Sequence, residues 1–234
     1  MNDLKGYRGN KAFPKAYQEI VNLIPPHKIY VEPYCGSAGI YRHKKTTLKS
    51  FLNDLDPTVA SVWNDNVMAH TVVTNLEAKE SIQLVLDNCL QGVRKFFYLD
   101  PPYPKSSRRS SKDIYNFEMS DNDHIQLLKY LLQISSDANK IMISTYENEI
   151  YNKYLKDWSK YTFKTCVHGK VAEEVLFFNY GYPTELHDYQ YLGKDCWERQ
   201  RINRKVSRIV KKLSGLPALE RNKIINAVNN IQIK

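Results

Sequence analysis

The sequence predicts an α/β fold with a doubly wound, mainly parallel sheet. Short apolar runs at residues 28–32, 49–53 and 95–99 each end at a polar or turn-forming position, as at Asp54 and Asp100. Stretches with the apolar spacing of helices lie between these runs. Because parallel strands that alternate with helices bind ligands at their carboxyl ends, we expect the polar residues after the strands to form a functional site.

Local signals support the predicted elements in turn. The proline of Asp56-Pro57 is typical of a first helical position and predicts a helix from the next residue. Regularly spaced leucines predict a helix over 121–134, and Gly169-Lys170 separates two extended runs that predict a terminal β-hairpin. In chain order we predict a strand at 28–32, a helix at 38–45, a strand at 49–53, a helix at 58–66, a strand at 72–75, a helix at 77–89, strands at 95–99 and 140–144 on either side of the helix at 121–134, and extended runs at 161–168 and 174–180.

The composition indicates one substantial core and a polyanionic partner. A chain of 234 residues, 42% of them hydrophobic, can bury one large core and carry a small appendage. Its net charge of +9 suits contacts with phosphates, although many basic proteins never bind nucleic acid. The cysteines are far apart and form no C-x-x-C pair, so we expect neither a metal site nor disulfides. No apolar run approaches the roughly 20 residues that cross a membrane, so we expect a soluble, cytoplasmic protein.

The tetrapeptide Asp100-Pro101-Pro102-Tyr103 is the most specific signal in the sequence. A poor nitrogen nucleophile becomes more reactive when both of its hydrogens are held, one by the Asp100 carboxylate and the other by the Pro101 carbonyl. The two prolines stiffen the backbone so that this carbonyl points at the substrate. The Tyr103 ring can stack on a planar base. We therefore predict that these four residues are catalytic and act on an amide-like amine.

Further motifs accompany the tetrapeptide in the order of a known enzyme family. They are Tyr7-Arg8-Gly9-Asn10-Lys11, the loop at 31–39, Asn53-Asp54-Leu55-Asp56, Asp123-His124 with Leu127-Leu128, and Glu174-Val175-Leu176 with Asn179-Tyr180. With these motifs the chain resembles the Dam-like class of adenine-N6-specific DNA methyltransferases, of the DPPY type, from about Lys5 to Tyr180. The resemblance implies a Rossmann-like methyltransferase sheet and methyl transfer to the exocyclic N6 of adenine. A base inside a duplex is unreachable, so the nucleotide has to be flipped out.

The resemblance also implies S-adenosylmethionine as the cofactor. Gly36 and Gly39 allow the backbone to approach a ligand, the acid Asp54 after the second strand is placed for ribose hydroxyls, and Lys11 is placed for the cofactor's carboxylate. The sulfonium supplies the activated methyl group, so neither a metal nor a cysteine nucleophile is needed. The predicted cofactor-binding residues are Tyr7, Lys11, Glu32, Pro33, Cys35, Gly36, Ser37, Gly39, Asp54 and Asp100.

Recognition of double-stranded DNA is predicted in two segments. Larger members of the class carry a target-recognition insert between the cofactor acid and the tetrapeptide, whereas only residues 55–99 lie there in this chain. We therefore expect the loop at 104–119 and a basic tail to contact the substrate. The predicted substrate-binding residues are Lys105, Arg108, Arg109, Arg201, Arg204 and Arg208.

The chain is predicted to divide into a catalytic domain of residues 1–184 and a basic helical tail of residues 185–234. From Arg199 to Lys212 there are seven lysines or arginines and no acid, and the apolar residues of this stretch fall on one helical face. A break at 214–217 separates it from a second helix over 219–231. Such a basic amphipathic helix is a solvated face, a partner-binding helix or a phosphate contact, of which we favour the last.

Three other functions remain open from the sequence. An adenine-N6 methyltransferase of RNA would use the same chemistry and the same basic tail. A catalytically silent DNA-binding module would keep the fold without turnover. A glutamine-methylating enzyme is disfavoured, because an asparagine would be expected in place of Asp100. The leading hypothesis is a DNA enzyme of a bacterium or phage, either solitary or paired with a restriction enzyme, and its target sequence and oligomeric state are left open.

Overall fold

A computed structural model describes residues 11–12, 14–108, 112–167 and 170–231. These residues form two compact units, of which the first ends at Tyr189 and the second begins at Gln190. In the described part of the chain, no helix combines the length and the apolar composition that crossing a membrane requires.

The first unit is built on a seven-stranded mixed sheet. Its strands are β1 (Ile29–Glu32), β2 (Lys49–Asn53), β3 (Thr71–Thr74), β4 (Lys95–Leu99), β5 (Asn139–Thr145), β6 (Ser159–Val167) and β7 (Lys170–Phe178). The order across the sheet is β3-β2-β1-β4-β5-β7-β6. Strands β1 to β5 are parallel, and β7 runs antiparallel to both β5 and β6. This topology confirms the predicted doubly wound sheet with a terminal β-hairpin.

The strand order reverses between β1 and β4, which are hydrogen-bonded neighbours. The chain winds outward from β1 through β2 to β3, and then returns to form β4 and β5 on the other side of β1. In open α/β sheets this reversal opens a crevice at the carboxyl ends of the strands. Glu32 ends β1 and Asp100 follows β4, so the reversal brings two predicted site residues to the same edge of the sheet.

Strand β4 shows why the predicted apolar runs mark the centre of the sheet. All five of its residues are buried. Phe97 and Leu99 belong to a core cluster with residues of the helices between β3 and β4 and after β4, such as Val85 and Leu128. Phe96 and Tyr98 alternate with them and are also buried. A parallel strand that is covered on both faces reads as a continuous hydrophobic run, as this one does.

The helices of the first unit include four that were predicted and two that were not. The predicted helices are α2 (Gly39–His43), α3 (Pro57–Asn64), α4 (Ala78–Asn88) and α5 (Asp121–Ile134), and the additional ones are α1 (Pro14–Val21) and α6 (Glu149–Tyr154). Helix α5 begins at the predicted residue because Ser120 and Asp123 form a reciprocal capping box. Helix α6 has only six residues, too few for a periodic apolar pattern to stand out.

The second unit contains two helices, α7 (Cys196–Ser214) and α8 (Ala218–Asn229). Asp195 caps α7 by accepting a hydrogen bond from the Glu198 backbone N–H, which extends the helix ahead of the predicted basic stretch. Neither helix has a buried residue. The apolar side chains of Val206, Ile209 and Val210 are about half exposed, and the basic side chains of α7 are accessible.

Candidate active site

Asp100 is the first residue after β4, and its carboxylate lies at the base of a cavity at the carboxyl edge of the sheet. The side chain is 15% exposed. Burial raises the pKa of Asp100 above its ordinary value, and the nearby ammonium of Lys11 opposes that rise. A buried carboxylate of increased basicity is a strong hydrogen-bond acceptor, which is the property that the predicted chemistry requires.

The loop between β1 and α2 is shaped by Gly36 and Asp54. Gly36 has a φ of 45°, in the left-handed region that glycine adopts without strain. Its N–H donates to Asp54 Oδ2 at 2.8 Å, and the Asp56 N–H donates to Asp54 Oδ1 at 3.0 Å. Trp63 Nε1 donates to the Gly36 carbonyl at 2.7 Å. The acid after β2 therefore fixes the loop after β1 and also faces the cavity.

Gly39 permits a close approach between α2 and the segment that carries Lys11. A Cβ atom at this position would lie 2.7 Å from the Ala12 backbone N and 2.8 Å from the Lys11 carbonyl carbon. Both neighbours are backbone atoms, which cannot rotate away as a side chain would. The absence of a side chain at Gly39 therefore places Lys11 in the site.

Lys11 is buried and uses its ammonium group within the protein. Nζ donates to Tyr103 Oη at 2.8 Å and pairs with Asp100 Oδ2 at 3.0 Å and with Glu174 Oε2 at 3.5 Å. Burial opposes the charged form, but the carboxylates of Asp100 and Glu174 prevail and raise the pKa of Lys11 well above its ordinary value. The Lys11 ammonium is therefore surrounded by three oxygen-bearing side chains of the protein itself.

Tyr103 is buried and is not one of the described residues that line the cavity. Its side chain is buried, its hydroxyl lies 2.9 Å from Ser144 Oγ, and its ring packs edge-on against Tyr146 with centroids 4.6 Å apart. Pro101 is buried, whereas Pro102 is half-buried and lines the cavity. Of the predicted catalytic residues, the structure therefore brings Asp100 and Pro102 to the cavity wall.

The loop after the tetrapeptide is held by an ion pair between Arg108 and Glu118. Both guanidinium NH groups of Arg108 donate to the Glu118 carboxylate, at 2.9 and 2.6 Å, and Arg108 Nε donates to the Tyr103 carbonyl at 2.6 Å. Glu118 also accepts from the N–H groups of Ile114 and Tyr115, at 2.8 and 3.1 Å. The Arg108 side chain is 5% exposed, so it is committed to the loop rather than presented to a substrate.

Glu118→Gln is expected to lower the free energy of unfolding at neutral pH. The hydrogen bonds from Arg108 depress the pKa of Glu118 from 4.5 to about 2. A carboxyl with a depressed pKa stabilises the fold above its unfolded pKa, and this stabilisation is lost as the pH falls through the folded pKa. Denaturant unfolding as a function of pH should therefore show a gap between wild type and variant that shrinks as the pH falls from 4.5 toward 2.

Asp113→Asn is the matched control for that variant, because Asp113 is an exposed acid of the same loop that pairs with the half-exposed Lys105. It should leave the unfolding curve nearly unchanged, since exposed ion pairs contribute little. A gap for Glu118→Gln that does not depend on pH would contradict the assigned ion pair.

The cavity has a volume of about 560 Å³, within the range of small-molecule sites. Nine of the ten predicted cofactor residues line it: Lys11, Glu32, Pro33, Cys35, Gly36, Ser37, Gly39, Asp54 and Asp100. The tenth, Tyr7, lies outside the described residues, as does Arg109 of the predicted substrate set. Lys105 pairs with Asp113 at 2.5 Å, and Arg201, Arg204 and Arg208 lie on α7 of the second unit.

Several lining residues were missed by the sequence analysis. They include the apolar side chains of Tyr34, Leu55, Phe117, Met119 and Leu127, together with Tyr115, Asn116 and Asp56. Asn116 Nδ2 donates to Asp56 Oδ2 at 2.7 Å and so links the loop after the tetrapeptide to the end of β2. Asn116 comes close to Asp56 because Arg108 and Glu118 hold this loop in its fold. No local sequence pattern predicts that contact.

Burial also changes the charge of the cavity wall. It raises the pKa of Glu32 to about 8, despite a hydrogen bond donated by Tyr30 Oη to Oε2 at 2.8 Å, and the nearby Asp100 carboxylate adds to the rise. Glu32 is therefore mainly protonated at neutral pH, and Asp100 is the acid better suited to accept a hydrogen bond. Among the described residues there is no group of three or more His, Cys, Asp or Glu side chains arranged to hold a metal ion.

Comparisons with known proteins identify a related family over part of the chain. The family model described as D12 class N6 adenine-specific DNA methyltransferase matches residues 68–170, a segment that contains β4 and the tetrapeptide. No curated protein matches the chain. The match confirms the predicted resemblance over this segment.

Solved structures that are similar to the chain share little sequence with it. A precorrin 8w decarboxylase from Methanobacterium thermoautotrophicum is 9% identical, with 74% of this chain and 93% of that chain covered and a TM-score of 0.48. M. capricolum TrmK, in complex with S-adenosyl-homocysteine, is 9% identical, with coverage of 93% and 95% and a TM-score of 0.45. An rRNA methylase from Streptococcus thermophilus is 10% identical, with coverage of 69% and 93% and a TM-score of 0.43. The inference that the chain is a methyltransferase that uses S-adenosylmethionine therefore rests on the family match and not on these structures.

Proposed function

We propose that this protein transfers a methyl group from S-adenosylmethionine to the exocyclic N6 of a flipped-out adenine in double-stranded DNA. One observation carries the proposal: Asp100, at the end of β4, faces the same cavity as the glycine-containing loop after β1. This geometry supports a methyl donor and an acceptor amine side by side. The family match across the tetrapeptide supports adenine in DNA as the substrate.

The protein's part in the reaction is to orient and activate the amine. The Asp100 carboxylate, held at Oδ2 by Lys11, accepts a hydrogen bond from the amino group, and the Pro101 carbonyl accepts the other. Withdrawing these hydrogens toward two fixed acceptors increases the electron density on N6. The sulfonium of the bound cofactor supplies an electrophilic methyl group. Because the Asp100 carboxylate already faces the cavity, this acceptor requires little reorganisation during transfer.

The cavity wall fits the parts of the cofactor. The apolar and aromatic side chains of Tyr34, Phe117 and Met119 offer a surface for a planar base, and Asp54 offers carboxylate oxygens at the end of β2. Lys11 forms ion pairs with two buried carboxylates and a hydrogen bond to Tyr103, which favours a role in holding Asp100 over the predicted contact with the cofactor's carboxylate. The binding of the cofactor by these residues remains a proposal.

The base-stacking role of Tyr103 also remains a prediction. Tyr103 is buried and does not line the described cavity, whereas Tyr115 lines the cavity that Asp100 faces. A flipped adenine at Asp100 would therefore meet Tyr115 without any rearrangement of the tetrapeptide. Stacking on either ring would recover part of the unstacking energy, which is roughly a few kcal/mol.

The test is transfer of tritium from labelled S-adenosylmethionine to DNA and RNA of matched sequence. The expected result is label in duplex DNA, followed by identification of N6-methyladenine and its sequence context by long-read sequencing of DNA from cells that express the protein. Label only in RNA would establish the alternative substrate. DNA binding without any transfer, on DNA of diverse sequence, would establish a silent binding module.

The basic helix α7 is proposed to contact the phosphate backbone, and Arg204→Gln with Arg208→Gln is expected to weaken DNA binding. Each phosphate that is no longer neutralised by an arginine should reduce the slope of log Kd against log salt by about 0.9. The slope of the double variant should therefore be smaller by up to about 1.8. Fluorescence anisotropy with duplex DNA at several salt concentrations measures this.

Arg94→Gln is the matched control for the α7 variant, because Arg94 is exposed but precedes β4, at the opposite end of that strand from Asp100. The control should keep the wild-type slope. An unchanged slope in the double variant, or an equal change in the control, would remove α7 from the proposed DNA contact.

A further inference from the structure

We propose that Glu174 is a positioning residue that acts through Lys11 on the catalytic carboxylate of Asp100. The inference rests on the proposed methyl transfer at Asp100 and deepens it. Glu174 lies on β7, and the motif that contains it was given no role in the predicted site. It is not among the described residues that line the cavity, so its effect on the reaction has to pass through another side chain.

Glu174 is linked to Asp100 by a series of buried contacts. Lys11 Nζ lies 3.5 Å from Glu174 Oε2 and 3.0 Å from Asp100 Oδ2, so the ammonium bridges the two carboxylates. The three side chains are between 6 and 15% exposed. The Ser144 hydroxyl donates to Glu174 Oε2 at 3.5 Å, and the Thr165 hydroxyl donates to Glu174 Oε1 at 3.4 Å. These two hydrogen bonds help to hold the Glu174 carboxylate in place.

The Lys11, Asp100 and Glu174 cluster carries two negative charges and only one positive charge. The single positive charge of Lys11 is shared between two carboxylates, so its pairing with Glu174 weakens its stabilisation of the Asp100 charge. The Glu174 charge thereby keeps the Asp100 carboxylate more basic than a simple Lys–Asp pair would, and it raises the pKa of Asp100 in addition to the effect of burial. A more basic carboxylate accepts the hydrogen bond of the substrate amine more strongly.

A purely structural role would not need this residue. Burying a charge costs several kcal/mol, and a buried ion pair is often no more stabilising than apolar residues of similar volume. Neighbouring inward positions of β7 carry Leu176 and Phe178, which are fully buried. A carboxylate at Glu174 is therefore better explained by its electrostatic effect on Lys11 and Asp100 than by packing.

Glu174→Gln tests the inference, because it keeps the shape and an acceptor oxygen while removing the charge. Single-turnover methyl transfer is measured against pH at saturating cofactor and DNA. Transfer requires ionised Asp100, so the rate rises as the pH passes through the pKa of Asp100. Loss of the Glu174 charge should lower that pKa. The rising part of the pH–rate profile, its acid limb, should then move to lower pH by on the order of one unit. The plateau rate should fall by roughly tenfold, with the Kd values for cofactor and DNA unchanged.

The titratable and charged groups near Asp100 determine which part of the pH–rate profile reports its pKa. They are Lys11, Glu32, Tyr98, Tyr103, Tyr115, Tyr151 and Glu174. The tyrosines have pKa values raised above their ordinary range by burial, so they do not titrate in the acid limb. Glu32 has a pKa of about 8, so its titration falls on the alkaline side. A movement of the acid limb therefore reports on Asp100 and its link to Glu174.

Two further variants separate position from charge. Glu173→Gln changes the adjacent acid of β7 and should leave rate and pH profile as in wild type. Glu174→Asp keeps the charge but shortens its reach to Lys11, so it should lower the rate while the acid limb stays near its wild-type position. If Glu174→Gln does not fold, judged by thermal unfolding, Glu174→Asp alone still tests the inference through its rate.

The inference is overturned if wild type transfers methyl groups and both Glu174 variants share its rate and acid limb, or if Glu173→Gln shifts them equally. Absence of transfer by wild type itself would instead defeat the proposed function. The two failures are therefore distinguishable in one experiment.

Discussion

Asp100→Ala is expected to abolish methyl transfer while leaving DNA affinity largely intact. Removing one preorganised polar group from a reaction centre typically costs about 10²- to 10³-fold in rate, and Asp100 is proposed to make the principal contact with the amine. The affinity should survive because the proposed phosphate contacts lie on α7. Tritium transfer and fluorescence anisotropy on the same preparation measure the two properties.

The fold should tolerate this substitution for a reason visible in the structure. Lys11 retains Glu174 as a partner at 3.5 Å, so the variant leaves a neutral buried pair and no isolated ammonium. Asp113→Asn, at an exposed acid in the following loop, serves as the control and should retain full activity. Wild-type transfer by Asp100→Ala would eliminate the proposed activation of the amine.

Gly39→Ala is expected to cause the second large loss, of roughly 10²-fold in transfer rate. The added Cβ would lie 2.7 Å from the Ala12 backbone N, so the segment carrying Lys11 has to shift. A displacement of about 1 Å at Lys11 would weaken its bridge between Asp100 and Glu174 and misplace the acceptor of the amine. Single-turnover rates, with cofactor binding measured by calorimetry, would follow the effect.

Gly181→Ala is the control for this crowding effect, because a Cβ at Gly181 meets no atom within 4 Å. It should match wild type in both rate and stability. Equal activity in Gly39→Ala and Gly181→Ala would show that the close approach of α2 to the Lys11 segment has no part in placing the catalytic carboxylate.

The sequence was most informative where burial and local chemistry coincide. Strand β4 reads as an unbroken apolar run because both of its faces are covered, and Asp100 follows directly at the carboxyl edge. Helix α5 was predicted from the spacing of its apolar residues, and its start matches the prediction because neighbouring residues, Ser120 and Asp123, form a capping box there. Most of the predicted cofactor residues line one cavity because they lie at the ends of β1, β2 and β4 or in the loops after them, which the fold brings together.

Features that depend on distant contacts escaped the sequence. Arg108 was predicted to meet DNA, yet its guanidinium group is paired with Glu118 and is nearly inaccessible. Glu174 was noted as part of a motif, but its contact with Lys11 joins opposite ends of the first unit. Strand β7 begins at Lys170, four residues before its predicted start, because pairing with β6 and not hydrophobicity defines its first half.

The bidentate grip of Arg108 on Glu118 also bears on the thermodynamics of complex formation. Arg108 also donates from Nε to the Tyr103 carbonyl, so the ion pair is joined to the end of the tetrapeptide. Segments that become ordered only on meeting their target lose conformational entropy at that moment, and affinity falls accordingly. The described part of the loop that Arg108 and Glu118 hold together avoids this loss, so more of the contact energy would be available to hold the proposed adenine outside its helix.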